Sequence, residues 1–108
     1  MPTAAEQELE TQIHEKGANV APRVLPQDVD DEIAHTQYHV FPGTTVTVAA
    51  LTLKNGTVVT GESACACKEN FNEEIGREIA YANAREKVWP LLGFLLREAI
   101  SKSTRVAR

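Results

Sequence analysis

The spacing of polar and apolar residues predicts a helix near the start of the chain. Thr3 and Glu6 have the spacing of a capping box, in which each side chain satisfies a backbone amide of the first turn. Gly17 is a favoured residue for ending a helix. We therefore predict a helix from Ala4 to Lys16. Its apolar positions are sparse, so we expect it to pack lightly.

A short second helix and a first strand follow a linker. Pro26 suits the first turn of a helix, because its φ angle is already fixed near the helical value, and this helix is predicted to end near His35. The segment Tyr38–Phe41 predicts the first strand. Pro42-Gly43 is typical of the turn that would follow it.

Two longer runs of alternating polarity predict a β-hairpin. They extend over Thr44–Lys54 and Thr57–Ala66, with Asn55-Gly56 between them. Asn and Gly both tolerate positive φ angles, so a tight type I′ turn is predicted. The alternation changes phase within the first run, which predicts a β-bulge at Ala49-Ala50.

The last third of the chain predicts two helices. Asn70 and Glu73 have capping spacing, and the helix that they open is predicted to run to about Lys87. Trp89-Pro90 interrupts it, because proline cannot donate a hydrogen bond to the preceding turn, and a second helix then runs to about Ser101. The predicted apolar face of the first helix consists of Phe71, Ile75, Ile79, Ala82 and Glu86.

Together these elements predict an α+β fold, in which a small antiparallel sheet is followed by two C-terminal helices. Residues 1–35 form an N-terminal helical extension and residues 36–108 form the core of a single domain. Apolar residues cover most of the circumference of the last helix, which is more than one small sheet can bury, so we expect self-association. These residues are Leu91, Leu92, Phe94, Leu95 and Leu96.

Composition and charge narrow the functional classes. The chain has 108 residues, 43% of them hydrophobic and 24% charged, which is ordinary for a globular domain. Since the chain contains 11 Lys and Arg and 15 Asp and Glu, its net charge is -4 and generic DNA binding is not expected. No apolar run is long enough for a membrane span, and the acidic N-terminus does not resemble an export signal. We therefore expect a cytosolic protein.

Two familiar ligand-binding motifs are incomplete in this sequence. The segment Gly56–Gly61 has the glycine spacing of a phosphate loop, but Glu62 follows where that loop requires lysine. The acidic cluster Asp28–Glu32 lacks the glycine and the distal glutamate of a calcium loop, so it is interpreted as a solvated helix start.

Two histidines and two cysteines could in principle form a zinc site. We expect His35 and His39 to straddle a boundary between helix and strand, and Cys65 and Cys67 lack the usual two-residue spacer, so a zinc site is not favoured. The cysteines are predicted to be free thiols. No nucleophile motif is present, so we predict neither catalysis nor a cofactor.

The segment after residue 70 carries the most suggestive chemistry. Arg77, Tyr81 and Arg85 are spaced four apart, so on a helix they form one stripe in which guanidinium groups suit phosphate and the ring suits a base. The alternative is an ordinary surface, where the arginines pair with Glu73 and the tyrosine packs. Asn83 favours a specific role, because Asn is a poor residue within a helix unless it hydrogen-bonds to a base edge or a partner backbone.

Many short elements with fixed spacing resemble one family. They are Asn55-Gly56, Gly61–Cys65, Asn70–Gly76, Ile79-Ala80, Asn83-Ala84, Lys87–Trp89 and Gly93–Leu96. Over about residues 36–100 they resemble a family of small phage and prophage proteins that includes the first type of Thoeris anti-defence protein. Members of that type are sponges, which bind cyclic ADP-ribose isomers made by bacterial TIR-domain enzymes, and some also bind cyclic oligonucleotides.

The resemblance implies a non-enzymatic nucleotide sponge in the cytoplasm of the bacterial host. It implies dimers that can assemble into a hexamer, with ligand pockets where the sheet and helices of neighbouring subunits meet. Phe71 would stack on a base, Arg77 and Arg97 would face phosphates, and Asn83 would contact an adenine edge. With Tyr81 and Arg85, these residues form the predicted ligand site.

Two other hypotheses stay open from the sequence alone. An enzyme that degrades the signal would have to use His35, His39 and the acidic cluster, which are weak candidates. A phage oligomer with a structural or protein-binding role would use the same helices as an interface and the arginines as its rim.

Overall fold

The described part of the chain combines helices with a three-stranded antiparallel sheet. The computed structural model describes residues 2–19 and 21–106. In chain order, the elements are α1 (Ala4–Glu15), α2 (Pro26–Glu32), β1 (Ile33–Val40), β2 (Val46–Leu53), β3 (Val58–Ala64), a 3₁₀ turn (Lys68–Asn70), α3 (Glu73–Glu86) and α4 (Val88–Val106). The predicted α+β class is confirmed. Residues 32–89 form one compact unit, and the segments before and after them form a second.

The first helix begins at the predicted capping box. Thr3 Oγ1 accepts a hydrogen bond from the Glu6 amide at 3.1 Å, and Glu6 Oε1 accepts one from the Thr3 amide at 2.9 Å. Lys16 caps the other end. This described helix contains no buried residue, and its Leu9 is 55% exposed. The expectation of light packing is confirmed.

The boundary between α2 and β1 lies earlier than predicted. α2 begins at Pro26 as expected but ends at Glu32, and β1 begins at Ile33. Ile33 pairs with Leu53 of β2, and the Glu32 carbonyl accepts a hydrogen bond from the Lys54 amide at 3.1 Å. The helix therefore stops where pairing with β2 begins.

The sheet contains a bulge on β1 instead of the one predicted on β2. Its register shifts between Ile33 and His35, whereas β2 alternates between buried and half-buried positions without a break. The predicted bulge at Ala49-Ala50 is wrong. The apparent phase change in the sequence arises because polar Thr47 takes a fully buried position on this strand.

The turn between β2 and β3 is correctly placed but differs in geometry. Leu53 donates its amide to the Thr57 carbonyl at 2.8 Å, which leaves a three-residue loop. Within that loop, Gly56 has a φ of 90° and Asn55 has a negative φ, so type I′ is wrong. Instead, Asn55 Oδ1 accepts a hydrogen bond from the Thr57 amide at 3.0 Å. A left-handed glycine after an ordinary turn is the usual solution for three-residue hairpins.

The predicted turn between β1 and β2 is confirmed. The Thr44 amide donates to the Phe41 carbonyl at 3.1 Å, closing a four-residue turn around Pro42-Gly43. Gly43 has a φ of 75°, which together with proline before it is the pattern of a type II turn.

α3 packs closely against β2 and β3 through small residues. Ala80 and Ala84 of the helix and Leu51 of β2 are fully buried in one cluster. Gly61 of β3 lies beneath the helix, where an added Cβ would collide with the Ala84 backbone and lie 2.7 Å from its Cα atom. The helix and strand can approach this closely only because neither presents a large side chain.

The apolar face predicted for α3 is wrong. Ile75 and Ile79 are 54% and 47% exposed, and Ala82 is exposed beside them. The buried face instead carries Gly76, with Ala80 one turn further along. The large apolar side chains do not mark the inner face of α3, because close contact with β3 requires small residues there.

The ends of α3 and α4 differ slightly from prediction. Asn72, not Asn70, caps α3, and its Oδ1 accepts a hydrogen bond from the Ile75 amide at 3.0 Å. α4 begins at Val88, so Pro90 lies in its first turn, and the helix continues past Ser101 to Val106. Among the described helices, none combines the length and apolar character that a bilayer crossing requires.

The two edges of the sheet follow from the strand order β1-β2-β3. Phe41 donates to the Val46 carbonyl, so alternate residues of β1, namely Thr36, Tyr38 and Val40, direct their backbone groups away from β2. By the same alternation on β3, Thr60 and Glu62 direct theirs outward. These outward rows are called the β1 edge and the β3 edge below.

Candidate nucleotide site

The predicted stripe of α3 is present, but its members differ in exposure. Arg77 is half exposed, Tyr81 is half buried, and Arg85 is 3% exposed. Arg77 is close to Glu73, with 3.7 Å between Nη1 and Oε2, and both side chains face solvent. A pair this long and exposed contributes little, so the Arg77 guanidinium can exchange it for another anion.

Tyr81 and Arg85 are tied to the interior. Tyr81 packs against the buried cluster that contains Leu51, Ala80 and Ala84. Arg85 is buried with the inner face of the helix. Their surroundings favour packing roles over ligand contacts, as the sequence alternative for this stripe predicted for Tyr81.

Phe71 lies just before α3 and is partly exposed. It ends the 3₁₀ turn, with its amide donating to the Lys68 carbonyl at 3.1 Å. Its ring edge is close to Gly76, where an added Cβ would be 3.6 Å from Cε1. The ring therefore lies beside the first turns of α3, the same part of the helix that carries Arg77.

Asn83 makes a specific hydrogen bond, but its acceptor is a backbone carbonyl of the same chain and not a base edge or a partner subunit. Its Nδ2 donates to the Glu62 carbonyl at 2.8 Å. That carbonyl belongs to the β3 edge, so Asn83 covers one acceptor of an otherwise open row. The sequence predicted that Asn83 forms a hydrogen bond but contained no signal for Glu62 as its acceptor, because the contact depends on how α3 lies along β3.

Arg97 belongs to the other compact unit. It lies on α4, where it is exposed. Phe94 and Leu95 beside it in sequence are 66% and 53% exposed. The large apolar surface predicted for this helix is therefore present in the single chain.

The electrostatics of α3 oppose anion binding by this helix alone. It carries Glu73, Glu74, Glu78 and Glu86 against two arginines, one of which is buried. Two of these glutamates lie in the first turn, where the exposed amides of a helix would otherwise attract an anion. A phosphate would need positive charge from outside this helix.

An open pocket lies in the N-terminal segment, and its arginine was not among the residues singled out from the sequence. Arg23 donates hydrogen bonds to both carboxylate oxygens of Glu10, with distances of 2.6 and 2.8 Å. These hydrogen bonds lower the pKa of Glu10 and raise the pKa of Arg23. The pair lines an open pocket of about 400 Å³ together with His14 and Asn19. Because Glu10 neutralises the arginine, this pocket offers no surplus charge to a phosphate.

The histidines and cysteines are placed differently from the sequence expectation. His35 and His39 both lie on β1, so they share one face of the sheet instead of straddling a boundary. Both cysteines are free, as predicted, and Cys65 Sγ contacts the Cys67 carbonyl oxygen at 3.1 Å. Over the described residues, His, Cys, Asp and Glu side chains do not gather into a group of three that could hold a metal ion.

Comparison with known proteins places the chain in a family. No curated protein and no solved structure matches it. A family model for phage proteins matches residues 24–100, which is more than two thirds of the chain. The match spans α2, the sheet and α3 and ends within α4, while α1 lies outside it. The chain belongs to the phage protein (N4 Gp49/phage Sf6 gene 66) family.

Proposed function

We propose that this phage protein binds and sequesters cyclic ADP-ribose isomers made by TIR-domain enzymes in the host cytoplasm, without cleaving them. Cyclic oligonucleotides are a second ligand class of the same proposal. The observation that carries it is the pairing of an aromatic ring with a replaceable cation: Phe71 is partly exposed beside the start of α3, and Arg77 is held only by a long, solvated ion pair. A ring and a guanidinium are the groups that bind a base and a phosphate.

The site needs more positive charge than α3 supplies. A second copy is the proposed source, with Arg97 of that copy among its residues. This agrees with the proposal that the protein is a homo-oligomer, a dimer that can assemble into a hexamer, with pockets between subunits. Asn83 keeps its Oδ1 for an adenine amino group while Nδ2 holds Glu62.

Recovery of intact ligand tests sequestration against degradation. Purified protein is mixed with the cyclic ADP-ribose isomer, and free ligand is quantified by mass spectrometry before and after heat denaturation of the protein. We expect free ligand to fall and then to return unchanged. Return as a linear product would show an enzyme instead, and no fall with any cyclic nucleotide would end the nucleotide proposal.

Two substitutions test the proposed contacts. Arg77→Gln should weaken nucleotide binding about 10- to 100-fold, because a charge-assisted hydrogen bond contributes about 1.5–3 kcal/mol. Phe71→Leu keeps apolar volume near Gly76 but removes the stacking face, so it should also weaken binding. Lys87→Gln removes the same charge at the exposed far end of α3 and serves as the matched control.

The competing function is a phage oligomer with a structural or protein-binding role and no nucleotide ligand. Large exposed apolar residues favour it, namely Ile75 and Ile79 on α3 and Phe94 and Leu95 on α4. The double variant Phe71→Ala with Arg97→Ala separates the two. Sequestration predicts lost nucleotide binding with assembly intact, whereas loss of assembly would assign both residues to packing.

A further inference from the structure

Between its two ends, the β1 edge has no charge, proline or bulge to keep it from pairing with another strand. No Asp, Glu, Lys or Arg occurs from Ile33 to Leu53, although such residues make up 24% of the chain. Natural proteins protect edge strands with charge, proline or bulges. The bulge of β1 lies at its start, before His35, and Pro42 follows its end, so the run between them is regular.

The outward backbone groups of the β1 edge are available. Within the described residues, Thr36, Tyr38 and Val40 form no hydrogen bond to another element through them. Tyr38 is 43% exposed, and Phe41 just beyond the strand is 47% exposed. The row thus combines unpaired donors and acceptors with exposed aromatic surface.

The β3 edge differs in each of these respects. Asn83 already occupies the Glu62 carbonyl, which interrupts the outward row. Glu62 adds an exposed negative charge on the same strand. The β3 edge therefore carries a side-chain hydrogen bond and a charge that oppose pairing with another strand, and the β1 edge carries neither.

We propose that β1 pairs antiparallel with β1 of a second copy, with Tyr38 on the two-fold axis. This register places Tyr38 opposite Tyr38 of the partner subunit and Thr36 opposite Val40 of the partner subunit, and the alternation rule gives about six new backbone hydrogen bonds. A second copy fits better than a charged partner, because the edge is uncharged and a strand that pairs antiparallel with its own copy forms a two-fold symmetric interface. The two sheets become one continuous sheet.

The inference specifies the assembly part of the proposed function and does not depend on the nucleotide. A dimer through β1 would bring two copies of the unit containing α3 into one particle. If nucleotide binding fails while this dimer forms, the proposed function is lost and the inference stands. If the dimer does not form while nucleotide binding persists, the inference is lost and the proposed function stands.

Proline substitution on the two edges gives a matched test by sedimentation velocity. Tyr38→Pro removes an outward N–H without removing a hydrogen bond to β2, so the dimer should be lost. Thr60→Pro removes the equivalent outward N–H of the β3 edge and should leave the dimer intact. A wild-type monomer at every concentration, or a Tyr38→Pro protein that associates like the wild type, would overturn the proposal.

Amide hydrogen exchange of the wild-type protein decides the matter even if Tyr38→Pro does not fold. The amides of Tyr38 and Val40 should exchange slowly at high protein concentration and at least about tenfold faster at low concentration, where the dimer dissociates. The Thr60 amide should exchange fast at both. Equal, fast exchange at all three positions would refute the β1 pairing, as would association that is abolished by Phe94→Asp but leaves Tyr38 unprotected.

Discussion

The two outer strands of the sheet have opposite relations to the rest of the chain. β3 is fixed by α3: Gly61 admits the helix backbone, and Asn83 binds the strand's outward carbonyl. The outward backbone groups of β1 form no hydrogen bond to another element within the described chain, and the strand has no charged residue. The contrast shows that a small sheet can concentrate its specific contacts on one edge, while the other edge stays available for association.

Adding a side chain between β3 and α3 should cause the largest loss of stability. We expect Gly61→Ala to lower the free energy of unfolding by about 3 kcal/mol, because the new methyl group meets backbone that can move only if the whole helix shifts. Urea unfolding followed by circular dichroism measures this loss. Gly93→Ala is the control: apart from the helix's own backbone, no atom of the described residues lies within 4 Å of its Cβ position, so the same change in α4 should stabilise by about 0.5–1 kcal/mol. Equal effects at both glycines would contradict the close packing of β3.

Removing the Asn83 side chain from the β3 edge should cause a smaller loss of stability. Asn83→Ala deletes the hydrogen bond to the Glu62 carbonyl, which contributes about 1 kcal/mol, while the higher helix propensity of alanine offsets about half of that, so we expect a net loss of about 0.5 kcal/mol in unfolding free energy. Asn70→Ala provides the comparison, because the Asn70 side chain is exposed and makes no hydrogen bond within the described chain. If Asn83→Ala instead raised the unfolding free energy by about 0.5 kcal/mol, as helix propensity alone predicts, the Asn83 bond would contribute nothing.

Placing a charge on the β1 edge should barely change the stability of the monomer. We expect Tyr38→Lys to change the unfolding free energy by no more than about 0.5 kcal/mol at low protein concentration, because the side chain is already 43% exposed. Denaturant unfolding at two protein concentrations separates folding from association. The concentration dependence expected of the wild type should disappear in the variant. A large loss at low concentration would mean that Tyr38 supports the monomer itself.

Local chemistry allowed much of the fold to be predicted. The capping box at Thr3, the Pro42-Gly43 turn and the break before Pro90 depend on residues next to one another, so the sequence contains their causes. The type I′ turn at Asn55 was wrong because three-residue and two-residue loops use the same Asn-Gly pair.

Features that depend on distant contacts could not be predicted. The inner face of α3 follows from Gly61, which is far from the helix in sequence, and the length of β1 follows from Leu53. For the candidate site, the burial of Arg85 separates it from Arg77, although both belong to one helical stripe. Spacing alone places side chains on a face and does not show what covers that face.

The order of the strands has a consequence for how the protein folds. Each strand pairs with the next one in sequence, and α3 follows directly to cover the face that it buries. Such local pairing gives a low contact order and hence fast folding. During synthesis, the uncharged segment that ends at Leu53 finds its covering elements within the next few tens of residues. The time for which its bare strands are exposed to aggregation is correspondingly short.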